Sequence, residues 1–148
     1  MTEAPASVTV TAAATPAALD LVQNQLADLW RSSPGVSARD RARFEMGLVE
    51  MVANVVEHAY RRDDSGAAGS GARELSVRIT VTDDSLEAEL GDNGMPVEID
   101  LSDVTLPDPE AESGRGLALA LASLDHLEHR RDGGRNVWVL RCVRGRDA

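Results

Sequence analysis

Glu50, Asn54 and His58 recur every fourth position within the segment Glu50-Met51-Val52-Ala53-Asn54-Val55-Val56-Glu57-His58-Ala59-Tyr60. On a helix that spacing stacks the three side chains along one line, a turn apart. A carboxylate so placed can take up a proton, and an amide oxygen one turn away can hold a hard cation. A solvated helix face carries the same kind of line, so the segment alone leaves both readings open. A second group, Asp92-Asn93-Gly94-Met95-Pro96, follows an alternating apolar run. Its carboxylate can accept a hydrogen bond from an exocyclic amine, and Gly94 lets another group approach the backbone closely. Asp-Asn-Gly is equally common turn chemistry. In the third group, Gly114-Arg115-Gly116-Leu117, a long connection meets a helix. Bare N–H groups and the positive helix end suit a phosphate there, although an ordinary helix entry looks alike.

These groups need elements to hold them. Val8–Val10 reads as a short strand. Thr15-Pro16 reads as a helix start with the Thr hydroxyl as cap. Leu19, Val22, Leu26, Leu29 and Trp30 then form one apolar stripe, which Ser33-Pro34-Gly35 ends. Ser37 and Asp40 resemble a capping box opening a second helix to about Tyr60. Its core stripe is Phe44, Leu48, Met51 or Val52, Val55 and Ala59, on a different face from Glu50, Asn54 and His58. Residues 61–72 read as a flexible connection. Leu75, Val77, Ile79 and Val81, then Leu86, Ala88 and Leu90, alternate on either side of Asp83-Asp84-Ser85, an antiparallel hairpin with one buried face. Residues 95–113 show neither periodicity and contain Pro96, Pro107 and Pro109, the composition of a lid or a disordered loop. Leu117, Leu121, Leu124 and Leu127 mark a third helix. A last hairpin turns at Asp132-Gly133-Gly134, and its second strand, Val137-Trp138-Val139-Leu140, is apolar on both faces like a central strand.

A length of 148 residues with 43% hydrophobic side chains suits one domain, with residues 1–6 and 144–148 expected as disordered tails. Fifteen Arg, no Lys and 25 acidic residues leave a net charge of −10, which repels nucleic acid and anionic membrane. The basic stretch 127–148 carries six Arg against three acids and fits a solvated sheet edge. Without Lys there is no Walker-type loop, and Gly69-Ser70-Gly71 leads into a strand, unlike a dinucleotide fingerprint. Cys142 stands alone, which excludes an internal disulfide and a cysteine-based zinc site; a cytoplasmic location is the simplest expectation. No export signal or membrane span is expected.

Taken in order, E-x-x-x-N-x-x-x-H on a helix, D-x-G-x-P after a strand, a long connection, then G-x-G before a helix resemble the N, G1 and G2 boxes of the gyrase and histidine-kinase ATP-binding (GHKL) superfamily. The Glu50–Tyr60 segment is similar to its anti-sigma-factor serine kinase branch, and the likeness covers roughly residues 8–142. The resemblance implies a two-layer α/β sandwich of the Bergerat type, with helices on one face of a mixed, mostly antiparallel sheet. It implies ATP and Mg²⁺ as cofactors. Asn54 would hold the metal, Asp92 would bond the adenine amine, and Gly94 would admit the base. Gly114, Arg115 and Gly116 would form the phosphate cradle. Glu50 would be the base that accepts the serine proton, with His58 as structural support. The implied function is an anti-sigma regulator that phosphorylates a serine of an anti-anti-sigma partner of the STAS type. A sigma factor is the other implied partner, and homodimerisation is expected. An ATP-gated binding module without phosphotransfer is the alternative.

Two departures stand out. Residues 92–112 hold seven acids and no Arg or Lys, so Mg²⁺ and backbone dipoles would carry most of the phosphate charge and transfer would be slow. Gly134-Arg135-Asn136-Val137 stands where the family often has a Gly-Thr pair, and bears on the packing at the phosphate side. His126 and His129 lack the spacing of a metal site, and Trp30, Trp138 and Cys142 read as core.

Overall fold

The computed structural model describes residues 6–62, 73–94 and 115–145. In chain order these form β1 (Ala6–Ala13), α1 (Ala17–Ser32), α2 (Ala38–Arg62), β2 (Glu74–Val81), β3 (Ser85–Asp92), α3 (Arg115–Ser123), β4 (His126–Asp132) and β5 (Arg135–Val143). Period-two alternation builds the sheet, whose order is β1-β2-β3-β5-β4, and every described pairing is antiparallel. Leu75, Val77, Ile79 and Val81 face the same side as their cross-strand neighbours Leu90, Ala88 and Leu86, and all are buried. The row beyond Leu90 and Val77 pairs Leu75 with Asp92 and Asp92 with Asn136, so polar residues take over the apolar phase at the sheet end.

The helices cover that one face. α1 buries Ala18, Val22, Leu26, Leu29 and Trp30, while α2 buries Phe44, Leu48, Met51, Val52, Val55 and Val56 in the same cluster. Met51 and Val52 are both core, because α2 touches α1 and α3 at its flanks and β3 and β5 beneath. The result is the expected two-layer sandwich. The side chain of Ala59 lies outside the described residues.

Several local expectations are corrected. Thr15 does not cap α1 with its side chain; Pro16 occupies the cap and the carbonyl of Thr15 accepts from Ala18 N–H instead. Ser37 does cap α2, its Oγ accepting from Asp40 N–H at 3.1 Å. The Asp40 carboxylate, however, accepts from Gly145 N–H at 2.9 Å and pairs with Arg43, in place of the reciprocal bond of a capping box. Arg144 is held too, its N–H donating to Asp84 O at 2.8 Å, so the first two residues of the expected C-terminal tail are anchored. Ala6, placed in the expected N-terminal tail, pairs with Val81. Arg61 and Arg62 continue α2, and Leu127 lies on β4, because α3 stops at Ser123 and the chain re-enters the sheet. The last turn forms as expected, with Gly133 and Gly134 at φ of 57° and 81°, a backbone that only glycine adopts cheaply. Cys142 is packed in the core, and burial pushes its thiol up to about 11.

Gly47 shows how closely the residue that follows α3 approaches α2. A Cβ there would stand 2.7 Å from Leu124 Cγ. Gly47→Ala gains about 1 kcal/mol of helix propensity. It must also displace a side chain that is itself buried, at about 1–3 kcal/mol. Urea unfolding is expected to show a net loss of about 1 kcal/mol.

Candidate functional site

Asp92 is built into the sheet end. It closes β3 in the buried phase, is only 6% exposed, and directs Oδ1 to two donors: Gly94 N–H at 2.8 Å and Asn136 Nδ2 at 3.0 Å. No described residue donates to Oδ2. Oδ2 is not among the buried atoms that lack a partner, so it is open to the outside, and a carboxylate oxygen without a protein donor is an acceptor that a ligand N–H can complete. Gly94 makes this geometry attainable, since a Cβ on it would lie 2.8 Å from Asp92 Oδ1. Gly94→Ala should therefore turn the carboxylate and weaken ligand binding while leaving the melting temperature near that of the wild type; calorimetry beside a thermal scan checks both.

The turn that carries these two residues is pinned from both sides. Arg131 Nη1 donates to Gly94 O at 2.8 Å, and Arg73 Nη1 donates to Asn93 O at 3.0 Å. Asn93 Oδ1 accepts from Glu74 N–H at 2.9 Å, which ties the turn to the start of β2. Within the Gly134–Val137 segment Asn136 bonds Asp92, because β5 pairs with β3 in a register that sets Asn136 opposite Asp92. Arg135 points to the opposite sheet face, where Nη2 reaches Ser76 Oγ at 3.1 Å across Gly91.

Asn136, His129 and Arg131 were missed as site residues in the sequence. One signal was available: Asn136 falls in phase with Trp138, Leu140 and Cys142, all buried, so it is a polar residue at a core position. His129 Nε2 lies 3.2 Å from Asn136 Oδ1, and its ring packs on Trp138 with centroids 4.3 Å apart.

Glu50 and Asn54 stand one turn apart on α2, both partly buried. Their line is separate from the stripe that packs on the sheet, as the spacing predicts. Glu50 opens onto a groove of about 520 Å³ between α1 and α2, shared with Trp30, Arg41, Glu45, Met46 and Val49. Trp30 Nε1 donates to Glu45 Oε1 at 3.1 Å on its wall. Arg115 and Gly116 open α3, while Gly114, the Arg115 side chain, the His58 side chain and the expected lid at 95–113 lie outside the described residues. Among the described residues no cluster of three or more His, Cys, Asp or Glu forms a metal site, so a cation here would depend on Asn54, a neighbour such as Glu50, and the ligand's own oxygens.

Comparison with known proteins adds the family. The sequence model of the "Histidine kinase-like ATPase domain" matches residues 12–141. The chain belongs to that family. Its fold is therefore the α+β sandwich of the GHKL ATPases, with an antiparallel sheet and flanking helices, as the three motifs implied. No curated protein matches the sequence. Among solved structures, the RsbU and RsbW domains of a Mycobacterium tuberculosis protein superpose with a TM-score of 0.65 at 23% identity, over 97% of this chain and 34% of that one. This ATPase domain thus spans about a third of the length of that structure. The SiaB–SiaC complex from Pseudomonas aeruginosa gives a TM-score of 0.54 at 14% identity, over 92% of this chain and 89% of that one. At these identities the likeness is one of fold. No described helix of the chain is long and apolar enough to cross a membrane.

Proposed function

We propose that this histidine kinase-like ATPase domain is an ATP-binding anti-sigma regulator with serine kinase activity, acting on an anti-anti-sigma partner of the STAS type. The observation that carries the reading is Asp92, whose Oδ1 is held by Gly94 and Asn136 while Oδ2 has no donor among the described residues. That arrangement fits an adenine, which presents an N–H₂ group; Gly94, which leaves the carboxylate in this orientation, would admit the base. Asn54 would supply an oxygen to Mg²⁺, which when bound would neutralise phosphate charge. Gly114 and Gly116 would offer N–H groups to the phosphates with Arg115 beside them. Glu50, in a groove open to a second protein, would accept the proton of an incoming serine hydroxyl. The fold-level likeness to a structure of RsbU and RsbW domains and to a chain of a SiaB–SiaC complex supports a protein partner. A sigma factor would be the alternate partner, and added phosphate would weaken docking on a chain of net charge −10. Homodimerisation and a cytoplasmic location belong to the same reading.

The test is single-turnover transfer of labelled γ-phosphate from Mg-ATP to proteins that co-purify with the chain. Label on a serine of a small antagonist is the expected result. Nucleotide binding without transfer would favour the second reading, an ATP-gated binding module, to which the seven acids and absent cations of residues 92–112 lend weight.

A further inference from the structure

His129 has no place in the chemistry so far and Asn136 enters it only as a donor to Asp92, yet the three form one hydrogen-bonded series. Asn136 is fully buried at the sheet end, near the start of β5, at a position whose in-phase neighbours Trp138, Leu140 and Cys142 are apolar or a thiol. A buried amide is costly unless bonded, and packing alone would be served by leucine. Its amide N–H reaches Asp92 Oδ1 at 3.0 Å and its carbonyl oxygen faces His129 Nε2 at 3.2 Å. An amide oxygen only accepts, so the proton of this contact is carried by His129 Nε2. The donors then run one way: His129 to Asn136, and Asn136 to Asp92. The reverse amide orientation would set a carbonyl oxygen against a carboxylate oxygen. His129 is fixed in turn by Trp138, at 4.3 Å between ring centroids and an angle of 44°. The nearest cation in this row, Arg131, is engaged with Gly94 O and so holds the turn.

We infer that Asn136 is a positioning residue for base selection, held by His129, that locks Asp92 with Oδ1 tied to the protein and Oδ2 presented as an acceptor to an amino-purine. The inference rests on the reading of Asp92 as the adenine contact. An oxo-purine sets a carbonyl oxygen where adenine has its amine, and a locked acceptor rejects it. A carboxylate free to turn would reject it less.

The experiment compares ATP and GTP affinities by calorimetry in the full chain and in Asn136→Leu, Asn136→Thr, His129→Phe and Asp92→Ala, with the imidazole ¹⁵N shifts of His129 read by NMR. Wild type should favour ATP and show His129 protonated on Nε2. Asn136→Leu should lower ATP affinity about tenfold, the equivalent of one net hydrogen bond. It should also shrink the ATP/GTP ratio and release the His129 tautomer. Asn136→Thr, which restores a donor, should recover part of the ratio. If Asn136→Leu does not fold, His129→Phe carries the test, since it keeps a ring on Trp138, removes the donor to Asn136 and should also lower the ratio. A wild-type ratio in Asn136→Leu or His129→Phe, while Asp92→Ala loses ATP, overturns the inference and leaves the adenine assignment standing. Undiminished ATP binding by Asp92→Ala overturns both.

Discussion

Glu50→Gln should abolish phosphotransfer while ATP affinity stays within a few-fold of wild type. A general base contributes about 10²–10⁴-fold to rate and little to holding a nucleotide, and glutamine keeps the shape and an acceptor oxygen while losing the basicity. Glu50 opens onto the groove between α1 and α2, where the proposed reaction would bring the serine hydroxyl, and Glu45 on the same wall is already bonded to Trp30. With no Arg or Lys across residues 92–112, little else from that stretch can offset developing charge. Single-turnover assays with the partner present, paired with calorimetry, measure both quantities. Transfer by Glu50→Gln at the wild-type rate would move the base elsewhere.

The second large effect is expected at Asp92. Asp92→Ala removes the acceptor for a base amine and strands two donors, Gly94 N–H and Asn136 Nδ2, that now meet on Oδ1. An unpaired buried polar group costs about 1–3 kcal/mol, so ATP and ADP should both weaken by about 5–150-fold. A thermal scan separates this from unfolding, because the stranded donors also cost stability. Asp92→Asn is the sharper variant, since an amide can turn its nitrogen toward the base and admit a carbonyl. Equal affinity in Asp92→Ala would remove the adenine assignment.

The sequence carries local information well, and the contrast among residues shows why. Leu75, Val77, Ile79 and Val81 announce their strand because period two is a property of each segment alone, and Ser37 announces its cap for the same reason. Glu50 and Asn54 are readable because one helix spaces them. Asn136 and Asp92 meet through β3–β5 pairing, between strands that are not consecutive, and no local pattern states that register. Thr15 has the right type for a cap but the chain enters α1 with Pro16 already helical, a choice made by the packing of Ala14 and Ala18 on the core. Leu127 continues a helical stripe by count, yet cross-strand pairing with Leu140 places it in the sheet.

The two tryptophans give this protein a pair of built-in optical reporters at different places. Trp30 lines the groove that contains Glu50 and has its indole N–H on a carboxylate; Trp138 is sealed in the sheet with an imidazole against its face and its Nε1 without a partner among the described residues. A polar contact and a dry, ring-stacked one emit at different wavelengths, and an adjacent imidazole is a quencher. Substituting either indole by phenylalanine leaves a single emitter, so one protein preparation watches the groove beside Glu50 and another watches the sheet end that carries Asp92, with no dye attached to either.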